Sequence, residues 1–465
     1  MSIAEDLHVK QNETRALTKD LANWLAAFQS DRAPAAALTW SKHALLDWLA
    51  VIIAGAREPL AEMLIAELAG NGSACTLYGR AERADLLNAA LINGATSHAL
   101  DYDDVNRLLH GHPTVPTLPV ALALGEMLCK NGRDVLAAFI AGTEVECALG
   151  HMAGNGHYDH GFHATGTMGT FGATAAAAHI MGLDAEVTAR AFGIAASQAS
   201  GLKINFGTMT KPLHAGKAAM NGLLAARLAA RGFTASTEAI EAPQGFTETQ
   251  APGFVTEEIR PDSTQPFAVE QTLFKYHAAC YRTHSVLEAM RDIRTRYNVG
   301  LEDMDSMTLH VAMDLRKVCD ILEPETGLEI KFAIRHLACM GLDGVDTAAL
   351  DVYSDQNANA PRYVAARRMV DLEALPAGAD RMSAGITLKL KDGRTVTGDA
   401  NVAVPAKDLD KQWQALTAKF ETLTVPIIGR EKVASLIEAV DAFDMATDLK
   451  GLTVNAVHRQ RHLNV

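Results

Sequence analysis

Apolar side chains recur at helical spacing through most of the first 265 residues. Leu17, Leu21 and Leu25 lie four positions apart, which places them on one face of a helix. The next such segment, after Pro34, is apolar around more of its circumference, as in a buried helix. Comparable patterns predict further helices at 83–100, 117–132, 133–152, 166–184, 185–199 and 213–231. This part of the chain is therefore predicted to be all-helical.

The periodicity changes near residue 266 and becomes helical again near residue 405. Residues 306–313 alternate apolar and polar side chains, which is typical of a strand. Residues 384–402 alternate on both sides of Asp392-Gly393, a dipeptide that favours the positive φ angles of a tight hairpin. The pattern predicts a mainly α protein, with a large, discontinuous all-helical domain (1–268 and 405–465) and a smaller α+β lid domain (269–404).

Length and composition narrow the class of protein. The chain has 465 residues, 48% hydrophobic and 21% charged, which suits a folded protein of two domains. The net charge is −13 and no block of five Lys or Arg occurs, so we expect neither nucleic acid nor membrane as a partner. The six cysteines lack C-x-x-C spacing, the N-terminus lacks a signal-peptide pattern, and the apolar runs look too short to span a bilayer. We expect a cytoplasmic protein with reduced thiols.

Titratable side chains are concentrated in two glycine-rich segments. Seven of the 17 histidines lie in "HALDYDDVNRLLHGHP" (98–113) and "GHMAGNGHYDHGFHATG" (150–166). Three interpretations fit such clusters. Histidine and aspartate ligate metals, although neither segment has the spacing of a known site. They also supply bases and proton donors near neutral pH. Finally, they cap helices and bond one another in protein cores.

Acid–base chemistry next to a carboxylate also needs cationic groups, because negative charge develops on the substrate. The candidates are Lys203, Lys211 and Lys275. Lys211 and His214 flank Pro212 at the start of a long Ala/Leu-rich helix, whose N-terminus adds partial positive charge. We interpret this helix start as an anion-binding site. The alternative is a helix start that is basic without binding anything.

Other side chains in the two segments have simpler interpretations. For Asp103 and Asp104, helix capping or a solvated face explains the residue as well as catalysis does. The histidines that we expect at the surface or behind the reacting groups are His110, His151, His157 and His160.

Six motifs follow one another along nearly the whole chain. They are "LINGATSHALDYDD" (91–104), "GHPTVPTLPVALALGE" (111–126), "GFHATGTMGTFGATAAAA" (161–178), "FGTMTKPLHAGKAAMNG" (206–222), "KYHAACYRTHSVLEA" (275–289) and "LEIKFAIRHLACMGLDG" (328–344). Together they resemble the MmgE/PrpD family, which includes methylcitrate dehydratases, cis-aconitate decarboxylases and iminodisuccinate epimerases. Several motifs in the right order make this resemblance specific.

The resemblance implies a discontinuous helical domain with an α+β lid, paired as a homodimer. It also implies chemistry without a metal or cofactor on small di- or tricarboxylates, in a cleft between the domains. Carried over to matching positions, the family's site falls on Asp101, His112, His163, Lys211, Lys275 and His336.

Two positions depart from the decarboxylase branch of the family, which has His where this chain has Cys280 and Tyr where it has His336. The motifs are more similar to the iminodisuccinate epimerase branch, which also has a cysteine at the position of Cys280. We therefore predict two groups of site residues: catalytic Asp101, His112, His163 and Lys211, and substrate-binding Lys203, Lys275, Cys280 and His336.

The predicted enzyme is a cofactor-independent hydro-lyase or epimerase that removes a proton α to a substrate carboxylate. The base is His163 or Asp101, assisted by His112. Two alternatives stay open: a cis-aconitate-type decarboxylase and a non-catalytic carboxylate-binding protein.

Overall fold

The computed structural model describes residues 16–70, 74–257 and 265–456. Within these ranges the α-helices are α1 Leu17–Ala27, α2 Ala35–Gly55, α3 Pro59–Leu68, α4 Leu86–Ser97, α5 Thr114–Met127, α6 Gly132–Asp159, α7 Ala164–Met181, α8 Ala185–Ala196, α9 Thr210–Ala230, α10 Phe246–Gln250, α11 His284–Tyr297, α12 Arg316–Cys319, α13 Gly327–Ile330, α14 Ile334–Leu342, α15 Asp355–Ala358, α16 Pro361–Arg367, α17 Leu409–Ile428, α18 Arg430–Asp441 and α19 Lys450–Asn455. The strands are β1 Cys75–Thr76, β2 Arg83–Ala84, β3 Val105–Asn106, β4 Thr272–Leu273, β5 Met304–Val311, β6 Val370–Ala374, β7 Ser383–Leu390 and β8 Thr395–Asn401.

These elements group into two compact units. As far as they are described, the first comprises Met1–Ala99, Asp103–Thr272 and Ile427–Val465, and the second Leu100–Tyr102 and Leu273–Pro426. The first unit is mainly helical and the second holds a four-stranded sheet. The predicted fold class, mainly α with a smaller α+β part, is confirmed. The predicted domain limits at 268 and 404 differ from the limits of these units, because most of α17 belongs to the second unit.

Helix α7 lies at the centre of the first unit. Its Ala, Gly and Thr side chains are small enough for neighbouring backbones to approach closely, and all its residues except His179 and Met181 are buried. It packs against α5, α6, α8 and α9. The small residues of this segment therefore form a bundle centre, as the sequence predicts.

Two helices of the first unit, α2 and α6, are long and apolar enough to cross a bilayer by length and composition, with mean hydropathies of 1.2 and 1.3. The prediction that every apolar run is too short is wrong on these criteria, because polar residues inside each run do not end the helix. In the fold, 83% of the apolar stretch of α2 and 89% of that of α6 are buried. Such burial is typical of core helices.

The sheet of the second unit has the strand order β6-β5-β7-β8. Strand β5 runs parallel to β6 and antiparallel to β7, and β7 pairs antiparallel with β8. Helix α11 packs against β7, β8 and α14. Along β7, Ile386, Leu388 and Leu390 are buried, as the alternation predicts. The turn between β7 and β8 has Gly393 at φ 89°, a conformation that glycine adopts readily, so the hairpin is also confirmed.

Buried histidines make the stability of the fold depend on pH. Burial lowers the pKa values of His43, His98, His179 and His336 to about 4 each. Between pH 4 and 6.5 these four histidines therefore bind more protons in the unfolded chain than in the folded chain, and their contribution to the free energy of unfolding rises with pH. We expect it to fall steeply as the pH drops from 6.5 to 4, by at most about 1.4 kcal/mol per pH unit for each histidine.

Urea unfolding at several pH values measures this dependence. The variant His43→Gln should show a shallower decline than the wild type, and His160→Gln, at an exposed position, should leave the slope as it is. A free energy of unfolding that stays constant from pH 6.5 to 4 would contradict the expected burial of neutral imidazoles.

Candidate active site

Helix ends in the first unit bring titratable side chains together. His98 is the C-cap of α4, and His163 is the N-cap of α7. His112 lies two residues before α5, and Lys211 and His214 lie in the first turns of α9. These helices pack against one another in the bundle, so their ends form one cluster. Loops at helix ends are where rigid folds commonly present functional groups.

Two glycines allow α4 and α9 to pack closely. A Cβ atom on Gly94 would lie 2.9 Å from the Cα of Gly216, and a Cβ on Gly216 would lie 2.2 Å from the carbonyl oxygen of Leu91. Both contacts are too short for any side chain. The approach places His98, after α4, close enough to Lys211, in α9, for the lysine charge to lower the imidazole pKa, in addition to the larger effect of burial.

The variant Gly216→Val should therefore be destabilised, because the new side chain meets backbone atoms of α4 that cannot move independently. We expect a loss of about 3 kcal/mol in the free energy of unfolding, measured by urea denaturation. Gly451→Ala is the matched control, since the nearest atom to its new Cβ is the Ala439 Cβ at 3.3 Å. The control should change stability by no more than about 1 kcal/mol. Equal stabilities for both variants would contradict the close approach.

Asp103 is the centre of the cluster. Its Oδ1 accepts a hydrogen bond from His98 Nδ1 at 2.8 Å, and its Oδ2 lies 2.9 Å from His112 Nδ1. The same His112 nitrogen lies 2.8 Å from the carbonyl oxygen of Asp104. Asp103 is only 1% exposed. A buried carboxylate thus fixes two imidazole rings, whose centroids are 4.4 Å apart.

The charges within this group follow from burial and contact. Burial alone would raise the pKa of Asp103, but the imidazoles of His98 and His112 outweigh it and hold that pKa well below its usual range. Burial outweighs the attraction of Asp103 and, with Lys211 and His112, lowers the pKa of His98 to about 4. At neutral pH the group therefore consists of an ionised Asp103 and an uncharged His98. Nδ1 of each ring faces an oxygen acceptor, Asp103 Oδ1 for His98 and the Asp104 carbonyl oxygen for His112, so Nε2 is the nitrogen that can take a proton.

His163 and His214 form a second imidazole pair beside the first. Their Nδ1 atoms are 3.1 Å apart, so one donates a hydrogen bond to the other. The ring centroid of His163 lies 6.0 Å from that of His98 and 6.5 Å from that of His112. Burial, the neighbouring imidazoles and Lys211 hold the pKa of His163 well below its usual range. His163 is 2% exposed, whereas His112 and His214 are 9% and 8% exposed.

The solvated-face interpretation of Asp103 and Asp104 is wrong. Both carboxyl groups are buried, and Asp104 accepts a hydrogen bond from the hydroxyl of Thr114. Burial and the charge of Asp47 raise the pKa of Asp104 well above its usual range, which favours its uncharged form. The pKa values of the two neighbouring aspartates therefore shift in opposite directions, because the carboxylate of Asp103 contacts imidazoles.

Possible ligand atoms of His98, Asp103 and His112 lie within 4.8 Å of one another, close enough together to coordinate a metal ion. Their detailed contacts suit hydrogen bonding better. His98 Nδ1 lies 2.8 Å from Asp103 Oδ1 and His112 Nδ1 lies 2.9 Å from Asp103 Oδ2, distances that are typical of hydrogen-bonded pairs. A carboxylate that orients imidazoles in this way is also typical of acid–base sites.

The structure places Lys203 outside this cluster of contacts. Its ammonium group donates a hydrogen bond to the carbonyl oxygen of Tyr158 at 2.7 Å and lies 3.5 Å from the centroid of the Tyr158 ring. These contacts hold the loop after α6. The predicted substrate-binding role of Lys203 stays a prediction.

Two predicted residues of the second unit bind each other. Lys275 Nζ lies 2.5 Å from the backbone carbonyl oxygen of Asp101 and 3.0 Å from its Oδ1. Lys275 is 3% exposed. Asp101 thus binds the ammonium group of Lys275 directly. This contact favours a role for Asp101 in orienting the lysine over a role as the base.

Cys280 lies in the same part of the second unit. A hydrogen bond from Cys319 is the main cause that lowers the pKa of Cys280 to about 7, against the effect of burial. The charges of Asp101 and Lys275 also act on this pKa, in opposite directions. Three residues that the sequence singles out therefore lie near one another in the second unit.

His336 is fully buried in the second unit. Its Nδ1 lies 3.3 Å from the Arg367 guanidinium, and its ring centroid lies 5.2 Å from that of Tyr363. Burial, together with Arg367, lowers its pKa to about 4. These contacts are those of a core histidine, and the predicted contact with substrate finds no support in them.

A cavity of about 330 Å³ opens elsewhere in the second unit, between α11, α17 and the loop after α14. Its lining includes His277, Arg291, Arg294, Asp346 and Lys419. None of the predicted site residues is among its lining residues.

The predicted site residues do not include three members of the imidazole cluster: His98, Asp103 and His214. A signal for Asp103 was present, since an Asp five residues after a helix-terminal His can fold back onto it. The apposition of His163 and His214 had no such signal, because 51 positions separate them.

Comparisons with known proteins extend these observations. The sequence model of the MmgE/PrpD N-terminal domain matches residues 19–258, and that of the MmgE/PrpD C-terminal domain matches residues 277–445. The chain is 27% identical to a cis-aconitate decarboxylase of Mus musculus over 458 residues, which cover 94% of this chain and 93% of that protein. It is 28% identical to one of Homo sapiens over 381 residues, 78% of each chain. It is 24% identical to one of Aspergillus terreus over 472 residues, 95% of this chain and 96% of that protein.

Proposed function

Because this chain belongs to the MmgE/PrpD family, we propose that it is an enzyme of small di- or tricarboxylates. In this proposal it removes a proton from the carbon next to a substrate carboxylate, without a cofactor. The observation that supports it is the contact of Asp103 with His98 and His112, beside the pair His163 and His214. The reaction class is that of a hydro-lyase or an epimerase.

His163 is assigned as the base, assisted by His112. Without substrate, burial and nearby positive charge keep the pKa of His163 low. A bound carboxylate adds negative charge, which stabilises the protonated imidazole and brings its pKa toward the working pH. Asp103 holds the ring of His112 so that Nε2 can pass a proton on.

The N-terminus of α9 supplies positive charge for the substrate. Lys211 is the second residue of this helix and Pro212 the third. Backbone N–H groups in the first turn of a helix, with the helix dipole, stabilise an anion next to them. Lys211 is therefore assigned to bind a carboxylate and to stabilise the enolate-like intermediate.

The step after proton removal decides the product. Return of a proton to the opposite face gives epimerisation, and loss of a β-hydroxyl gives dehydration. The second candidate function is decarboxylation of a cis-aconitate-type substrate, which breaks a C–C bond and releases CO₂. The names of the similar proteins favour this candidate, whereas Cys280 and His336 depart from the residues expected in that branch.

The experiment that tests the proposal incubates the purified protein with a panel of di- and tricarboxylates, including cis-aconitate, in D₂O. Proton NMR then reports exchange, epimerisation, dehydration and decarboxylation together. We expect turnover of at least one member. Citrate-dependent thermal stabilisation, with no chemical change in any carboxylate of the panel, would instead identify a carboxylate-binding protein.

Activity is expected to survive prolonged treatment with a chelator, because the proposed chemistry uses imidazoles and lysines and requires no ion. The measurement compares turnover before and after dialysis against EDTA, with elemental analysis of the same samples. Loss of activity that a divalent metal restores would assign the cluster to a metal site instead. The homodimer, the cytoplasmic location and the absence of nucleic-acid or membrane partners stay proposals, and gel filtration tests the first.

A further inference from the structure

The cavity of the second unit, about 330 Å³ in volume, is lined by several charged side chains. Three of them are cations: Arg291, Arg294 and Lys419. Among the described residues that line the cavity, Asp346 is the one acid, and its Oδ1 accepts a hydrogen bond from the backbone N–H of Ala348 at 3.1 Å. Cations that share a cavity repel one another unless an anion offsets the repulsion. The lining therefore favours an anionic ligand.

The two arginines differ in how far their charge is already balanced. Arg291 forms an ion pair with Glu288. Arg294 has no acidic partner in the part of the chain that the structure describes, and its guanidinium lies against the backbone of Gly344. A Cβ atom on Gly344 would lie 2.5 Å from Arg294 Cζ and 2.7 Å from its Nη2. Arg294 thus places at the cavity wall a positive charge that no acid compensates.

Lys419 is the buried cation of this lining. It is 2% exposed, whereas both arginines are exposed to solvent. Its ammonium group donates a hydrogen bond to the carbonyl oxygen of Tyr102 at 2.8 Å and lies 4.0 Å from the centroid of the Tyr102 ring. The lining also includes apolar side chains, among them Leu287, Val345 and Ala415. Cations at the opening and at depth, together with apolar walls, suit an organic molecule that carries more than one anionic group.

We propose that this cavity binds a small dicarboxylate, which acts as an effector of the enzyme at a site separate from the predicted site residues. Guanidinium groups bind carboxylates through paired hydrogen bonds, and the volume is in the range of small-molecule sites. The effect on turnover rests on the proposed function, in which Lys275 binds substrate. The binding itself does not depend on that function.

Two lining residues connect the cavity to the contact between Asp101 and Lys275. His277 lies two residues after Lys275 in the chain. Lys419 binds the carbonyl oxygen of Tyr102, the residue after Asp101, and the Asp101 carbonyl oxygen lies 2.5 Å from Lys275 Nζ. A carboxylate that attracts Lys419 weakens its hydrogen bond to Tyr102 and loosens the segment that holds Lys275. Occupation of the cavity should therefore raise KM for the substrate.

The test titrates succinate into the full-length protein by isothermal calorimetry. We expect Arg294→Gln to bind succinate in the cavity about tenfold more weakly than the wild type, because a charge-assisted hydrogen bond is lost. Arg296→Gln is the matched control and should bind like the wild type, since Arg296 is an exposed residue of the same helix that pairs with Asp292. Lys211→Ala, which weakens the proposed catalytic anion site, should retain binding in the cavity. Inorganic phosphate, with a single anionic centre, should bind more weakly than succinate.

Steady-state kinetics tests the effect on turnover. Without succinate, Arg294→Gln should have the kcat and KM of the wild type. Succinate should raise KM about fivefold in the wild type and much less in Arg294→Gln, whereas competition at the catalytic site would raise KM equally in both.

Four results overturn the proposal: Arg294→Gln binds succinate like the wild type, Lys211→Ala abolishes all binding, phosphate binds as tightly as succinate, or succinate raises KM equally in wild type and Arg294→Gln. Because calorimetry needs no turnover, failure of the proposed function leaves the dicarboxylate site separately testable.

Discussion

Replacing Asp103 with asparagine is expected to lower kcat about 10⁴-fold, the loss seen when the aspartate that orients a catalytic imidazole becomes an amide. The carboxylate of Asp103 contacts Nδ1 of both His98 and His112. An asparagine can accept from only one of them, because its amide nitrogen is a donor. The negative charge that faces both rings is lost, and an amide N–H faces one Nδ1 atom in place of a carboxylate oxygen. Steady-state kinetics on the carboxylate that the wild type turns over measures the loss.

Asp104→Asn is the matched control for this prediction. Asp104 is the next residue and equally buried, but burial and Asp47 raise its pKa, so its uncharged form is favoured. The amide is therefore a close substitute, and we expect activity within a few-fold of the wild type. Circular dichroism and thermal melting verify that both variants fold. Similar kcat values for Asp103→Asn and Asp104→Asn would remove Asp103 from the catalytic group.

His163→Ala is expected to abolish exchange of the substrate α-hydrogen with solvent, with a loss of about 10²–10⁴-fold in kcat. His163 has no neighbour that can replace it as the base at the same position. Two of the remaining imidazoles, His98 and His112, are held by Asp103 and, for His112, by the Asp104 carbonyl oxygen. Deuterium incorporation followed by proton NMR measures the exchange directly.

His160→Ala is the control for His163. It removes a histidine three residues away that is exposed to solvent, so exchange should continue at the wild-type rate. If His163→Ala retains full exchange while folding normally, the base must be sought among the other imidazoles, His112 first.

Most of the fold follows from local patterns in the sequence. Helix α1 follows from the spacing of Leu17, Leu21 and Leu25, and the β7–β8 hairpin follows from alternation around Asp392-Gly393. These features depend on residues close together in the chain. The extent of the second unit could not be predicted in this way, because α17 looks like any amphipathic helix and its placement depends on distant packing.

The candidate site was predicted in part. His112, His163 and Lys211 do converge on the helix ends of the first unit. The contact of Asp101 with Lys275 joins residues 174 positions apart, and no local sequence pattern predicts it. The same holds for the burial of His336, since its surroundings of Tyr363 and Arg367 come from another helix. The opposite pKa shifts of Asp103 and Asp104 depend on which of the two carboxyl groups contacts imidazoles. That contact is set by the fold and has no local sequence pattern.

The central claim is that the imidazole cluster removes a proton α to a carboxylate before any other bond changes. The most direct measurement runs the reaction in D₂O to partial turnover and examines the recovered substrate by proton NMR. We predict deuterium at the α-carbon of the remaining substrate with the wild type, and none with Asp103→Asn or His163→Ala. Recovered substrate that stays fully protiated while CO₂ is released would contradict the claim and establish decarboxylation as the first step.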